Sequence, residues 1–122
     1  MNANRGVLLA DDSEVIHKAV TRLLETEPAI KVLGVAASFA EVIEMATKLK
    51  PDVVLLDLHM PDDHAFDSAF VKSQLSGARV LGMSFSGGED NETRALGERF
   101  GAVTVLDKAQ LSTELIPAIL TA

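Results

Sequence analysis

The chain has 122 residues, 48% of them apolar and 24% charged, a balance that suits one soluble folding unit rather than a disordered or membrane chain. It contains no cysteine, so disulfides, thiolate metal sites and cysteine nucleophiles are ruled out, and any metal must be held by oxygen or imidazole. Eighteen Asp and Glu against eleven scattered Lys and Arg give a net charge of −7 with no basic stripe to meet phosphates, which argues against direct nucleic-acid binding.

In chain order, Met1 to Arg5 carries no apolar signal-peptide core, and no later run reaches the length of a membrane span. The cytoplasm is the expected compartment, and no membrane partner is expected. Five short apolar runs follow: Val7–Ala10, Val32–Ala36, Val53–Leu56, Val80–Met83 and Val103–Leu106. They are rich in β-branched residues and show little alternation, which predicts strands buried on both faces.

Segments of helical spacing lie between these runs. Val15, Ile16, Ala19, Val20, Leu23 and Leu24 predict one apolar face, ending before Pro28. Ser38-Phe39-Ala40-Glu41 has the capping-box pattern and opens a helix expected to turn Val42, Ile43, Ala46 and Leu49 inward, until Pro51 restarts extended chain. A third helix is expected over Ala65 to Leu75 and a fourth over roughly Glu89 to Phe100, stopped by Gly101. The fifth runs from about Ala109 to Leu120, with Pro117 expected to kink or shorten it.

Strand and helix alternating with short connections imply a parallel sheet with right-handed crossovers. The expected fold is therefore α/β: a doubly wound five-stranded parallel sheet in flavodoxin-like order 2-1-3-4-5, with helices on both faces, residues 1–122 forming a single domain. In such sheets ligands bind outside the carboxyl ends of the strands, near the switch point between the first and third.

Each relevant strand delivers a polar residue to that edge: Asp11-Asp12 after the first, Asp57 after the third, Ser84 after the fourth, Asp107-Lys108 after the fifth. Two ionised carboxylates 4 Å apart repel by roughly 4 kcal/mol at an effective dielectric of 20, so the cluster calls for a hard divalent cation. Magnesium suits a site of one or two carboxylates completed by water and phosphate oxygens. A carboxylate beside such an ion can attack a phosphoryl donor and form an acyl phosphate, with Lys108 and the Ser84 hydroxyl at hand to neutralise and orient it.

The runs Val7-Leu8-Leu9-Ala10-Asp11-Asp12-Ser13 and Pro51 to Pro61, then Ser84, then Gly101-Ala102 with Asp107-Lys108, together resemble the receiver domain of two-component response regulators, over the whole chain. The resemblance implies that Asp57 accepts phosphate from a histidine kinase or phosphotransfer protein. It implies too that Asp11, Asp12, Asp57 and the backbone carbonyl of His59 hold Mg2+, and that Ser84 and Lys108 contact the phosphoryl oxygens. Receivers commonly use the face of helix four, strand five and helix five for partners, so homodimerisation or docking there is also implied. The domain would be a phosphoaccepting switch rather than an enzyme.

Several positions depart from that pattern. Val105 stands where a switch aromatic is usual, Phe85 follows Ser84 where a small residue is usual, Asp62-Asp63-His64-Ala65 lacks a common glycine, and Ala109 replaces a proline after Lys108. The Ser86-Gly87-Gly88-Glu89-Asp90 loop is long, leaving Ser84 or Ser86 as the hydroxyl donor, with Ser84 favoured because it ends the apolar strand. His59 is placed to tune the lifetime of the phosphoryl group, whereas His17 and His64 receive no role. Three alternatives remain at this point. A phosphatase of the haloacid dehalogenase kind needs a second acid where His59 stands. A flavodoxin needs a phosphate cradle where Asp11 and Asp12 would repel the anion. A receiver-like interaction module that works without phosphorylation is kept open by Phe85 and Val105.

Overall fold

In the computed structural model, which describes residues 4–85 and 90–122, five parallel strands alternate with five helices. The strands are β1 (Arg5–Ala10), β2 (Ile30–Ala36), β3 (Val53–Asp57), β4 (Arg79–Ser84) and β5 (Ala102–Asp107), and they pair in the order β2-β1-β3-β4-β5. The helices are α1 (Glu14–Leu24), α2 (Phe39–Leu49), α3 (Ser68–Gln74), α4 (Asn91–Arg99) and α5 (Leu111–Thr121). The expected sheet order is therefore the observed one.

Strand residues alternate between two cores, one on each side of the sheet. Val7 and Leu9 of β1, with Val53 and Leu55 of β3, pack with Val20 and Leu24 of α1 and with Leu111, Leu115 and Ile119 of α5. Leu8 and Ala10, with Val54 and Leu56, face Phe39 and Val42 of α2, Val71 of α3 and Phe100 beyond α4. Phe39 is fully buried and stacks on Phe100 at 5.1 Å between ring centroids, so this second core is organised around an aromatic pair.

Burial on both faces holds for β1 beyond its first two residues, for β3 and for most of β4, but not for the outer strands. In β5, Val103 and Thr104 are exposed, and β2 alternates partly, because the sheet's two edge strands each lack a neighbour on one side.

Helix details differ from expectation where solvent begins. Val15 is 76% exposed and Ala19 is exposed, since only Ile16, Val20, Leu23 and Leu24 fall on the arc that meets the sheet. Leu49 is exposed too, in the last turn of α2, which closes on Lys50 in the left-handed conformation with its N–H donating to the Ala46 carbonyl. The third helix is shorter than expected: a 3-10 turn at Asp63–Ala65 precedes it, and Phe66 is extended. The fourth begins at Asn91, with Asp90 as its cap; the Glu89 start lies outside the described residues. Before the fifth, Lys108–Gln110 form a 3-10 turn, and α5 then continues through Pro117 to Thr121 without shortening. Pro117 is exposed, so water can serve the carbonyl that its missing N–H leaves behind.

At the start of α2 the Ser38 hydroxyl accepts from Glu41 N–H, while the Glu41 carboxylate accepts from Ala37 N–H, one residue earlier than the usual reciprocal bond. Gly101 has φ +81°, and a Cβ there would meet Lys72 Cγ at 2.9 Å. Gly101→Ala is expected to lower stability by about 1–2 kcal/mol, measured as a shift in urea midpoint with an unchanged slope.

Candidate functional site

The ends of β1, β3 and β5 bring three carboxylates and one ammonium together. Strand β1 lies between β2 and β3, so Asp11, one residue past its end, stands beside Asp57 at the end of β3. Asp11 Oδ1 accepts from Ser13 N–H at 2.8 Å, and the Ser13 hydroxyl accepts from Ile16 N–H, so one short turn both places the acid and caps α1. Asp57 Oδ1 accepts from His59 N–H at 3.0 Å in a similar turn. On the β5 side, Asp107 Oδ1 accepts from Ala109 N–H at 2.9 Å, folding the turn that aims Lys108 inward.

Lys108 Nζ lies 2.7 Å from Asp11 Oδ2 and 3.3 Å from Asp57 Oδ2. All three side chains are buried. Asp12 is exposed, yet one carboxylate oxygen from each of Asp11, Asp12 and Asp57 lies within 4.8 Å of the others. Asp11 Oδ2 is buried and, among the described residues, has no hydrogen-bond donor of good alignment, so its contact with Lys108 is an ion pair rather than a formed hydrogen bond. Three carboxylates against one ammonium leave a surplus of negative charge in a site mostly closed to water. A divalent cation would balance that surplus and supply the missing partner for Asp11, so the residues fit a hard, oxygen-seeking metal ion.

The Asp57 carboxyl is pushed up from its ordinary value of 3.8 to about 6. Burial is the main cause, and the nearby Asp11 charge adds to it; the His59 N–H and the Lys108 ammonium pull the other way without cancelling it. An acid held out of water beside a like charge destabilises the folded chain when ionised, and such groups are concentrated at functional sites.

Ser84 ends β4 opposite Asp107 and is buried, at the same sheet edge. Ser86, the other hydroxyl considered, lies outside the described residues. Phe85 is 71% exposed, and the Lys108 ammonium stands 5.3 Å from its ring centroid. Val105 packs against α4, where the missing side chain of Gly97 makes room: a Cβ on Gly97 would come within 2.6 Å of it.

The family model of the response regulator receiver domain matches residues 7–120. The chain belongs to this family. Over 109 residues, 89% of its length, this receiver domain is 34% identical to a protein-glutamate methylesterase/protein-glutamine glutaminase of Anaeromyxobacter dehalogenans. It is 34% identical over 102 residues to one of Geobacter sulfurreducens. It spans only 31% and 27% of those two proteins. Among solved structures it is similar to the response regulator domain of Thermotoga maritima CheB, with TM-score 0.82 and 26% identity, covering 98% of this chain and 96% of that one. The signal receiver domain of the putative response regulator NarL from Mycobacterium tuberculosis gives TM-score 0.83 and 26% identity, covering 97% and 94%. Receiver domains serve two-component signalling as phosphoacceptors, and an aspartate cluster stands where the sheet rule places the site. Among the described residues, no helix is long and apolar enough to cross a membrane.

Two contributors escape sequence reasoning. The His17 ring Nε2 meets the backbone carbonyl of Asp11, tying α1 to the turn that carries the acid pair. Asp62 accepts from Phe39 N–H at 2.9 Å and Ala40 N–H at 3.1 Å, so the loop after β3 caps α2 across 22 or more residues of sequence. The Asp62 contacts have no local sequence signature, because they join elements that meet only in the folded chain, whereas the His17 contact reaches back six residues, from α1 to the turn just before it.

Proposed function

We propose that Asp57 is the phosphoacceptor, with Asp11, Asp12, Asp57 and the His59 backbone carbonyl holding Mg2+, and that Ser84 and Lys108 contact the phosphoryl group. The observation that carries this reading is the buried Asp57 carboxylate, lifted to about 6 and shared with Asp11 through one lysine. Magnesium, when bound, supplies the positive charge that keeps Asp57 ionised and shields an incoming phosphoryl group from the acids.

An Asp57 oxygen forms the new O–P bond as the donor's N–P or O–P bond breaks and the electron pair leaves with the donor. The donor is the phosphohistidine of a sensor histidine kinase or phosphotransfer protein, or a small acyl phosphate. Lys108, already paired with Asp57, then has a more strongly charged neighbour than the carboxylate alone, and Ser84 donates to it. Drawing those two groups inward shifts the loop after β4 and the start of α5, a two-state change biased by the phosphate's contacts. The packed Val105 leaves no aromatic rotation there, so the signal passes through Ser84 and the Lys108 turn. The face of α4, β5 and α5, with Val103 55% exposed, is the surface proposed to dock a partner or a second copy. This domain acts as a cytoplasmic phosphoaccepting switch rather than an enzyme with its own external substrate.

Incubation with acetyl phosphate tests the reading by intact mass. A gain of one phosphoryl group is expected with magnesium and lost on chelation; no gain from acetyl phosphate or from any phosphohistidine donor would favour the phosphorylation-independent module. The exposed His59 side chain flanks the route for hydrolytic water, so His59→Ala is expected to slow phosphoryl loss several-fold, as followed by mass against time. Equal rates would remove histidine from the account.

A further inference from the structure

An aromatic side chain left 71% exposed beside a buried charged site is the feature that the proposed chemistry does not use. Phe85 directly follows Ser84, and its ring holds the Lys108 ammonium at 5.3 Å from the centroid. The same ammonium lies 3.3 Å from Asp57 Oδ2, so one cation stands over the ring and pairs with the proposed nucleophile. The lysine covers part of the ring, and most of the remainder faces solvent at the mouth of the site.

We propose that Phe85 is a specificity-determining residue that favours phosphoryl donors whose leaving group is a flat aromatic ring, an imidazole above all. The inference rests on Asp57 as phosphoacceptor. In a phosphorylated imidazole the phosphorus lies in the plane of the ring, so delivering it to Asp57 brings the whole ring to the mouth of the site. The exposed Phe85 surface can meet it edge-to-face or in offset stacking, a contact that an acetyl group cannot make. The imidazole leaves most readily when its second nitrogen is protonated, and that cationic ring gains further from the aromatic quadrupole. In the step itself the N–P bond breaks, the Asp57 O–P bond forms, and the protonated donor departs as neutral imidazole. The residue acts on which donor is accepted, so the effect belongs in the ratio of rates between donors rather than in either rate alone. Any disturbance of Lys108 on changing Phe85 falls on both donors and largely cancels in that ratio.

The test compares phosphoimidazole with acetyl phosphate, each with magnesium, on wild type, Phe85→Ala, Phe85→Leu and Phe85→Tyr, reading initial rates of mass gain. The expected result is a several-fold fall in the phosphoimidazole-to-acetyl-phosphate ratio for Phe85→Ala and Phe85→Leu, with the ratio kept in Phe85→Tyr. An unchanged ratio in Phe85→Ala, or a ratio retained by leucine as well as by tyrosine, would overturn the inference while leaving Asp57 as acceptor. Failure of both donors to load the wild type would overturn the Asp57 reading, and this inference with it.

Discussion

Asp57→Asn is expected to abolish phosphorylation and, without metal, to make the protein more stable than the wild type at neutral pH, by about 3 kcal/mol. The folded carboxyl titrates near 6, above its ordinary 3.8. A carboxyl raised in this way favours the folded state when protonated: its contribution is fully present below about 3.8 and is lost as pH rises through about 6. Above that point the folded chain carries a buried charge that its surroundings compensate only partly. Asparagine resembles the protonated acid in shape and charge and escapes the penalty at every pH. Urea denaturation in the presence of a chelator should show the two proteins converging near pH 4 and separating through pH 6, with the variant ahead. Asp57 is only 3% exposed, so solvent screening does little to reduce the difference. A variant less stable than wild type across the whole range would show that the site does not store this strain.

Lys108→Met should have the opposite effect. Its ammonium is the only described cation paired with Asp11 and Asp57, both buried, and removing one partner of a buried ion pair leaves uncompensated charge. A loss of about 3–5 kcal/mol is expected at pH 7 without metal, shrinking toward pH 5 as Asp57 takes up a proton. Magnesium binding is expected to tighten on the order of tenfold, because the lysine otherwise competes with the ion for the same acids. Stability measured against magnesium concentration therefore should recover in Lys108→Met by more than in the wild type. An unchanged magnesium affinity would separate Lys108 from the metal cluster.

Much of this was legible in the sequence for a specific reason. Parallel strands buried on both faces read as short aliphatic runs, and the polar residues that end them stand out against those runs. Asp57 follows four aliphatic residues and Lys108 follows a strand ending in Asp107, so the sheet order alone brought them to one edge. What the sequence hid depends on depth and on distant contacts. Val15 and Leu49 match the helical pattern but lie beyond the width of sheet that their helices cover. Asp62, marked only as part of a segment without the common glycine, caps a helix that begins 23 residues earlier. Val105 was marked only as a missing aromatic, whereas its packing space comes from Gly97 on a different element.

Residue 57, and no other acid of the cluster, is predicted to carry the phosphoryl group. Borohydride reduction of an acyl phosphate converts the aspartate to homoserine, leaving a permanent mark that peptide mass spectrometry can assign to one residue. After treatment with acetyl phosphate and magnesium, homoserine is predicted at position 57, and none is predicted when magnesium is withheld. Homoserine at position 11 or 12 in place of 57, or an equal yield with and without the metal, would contradict the account.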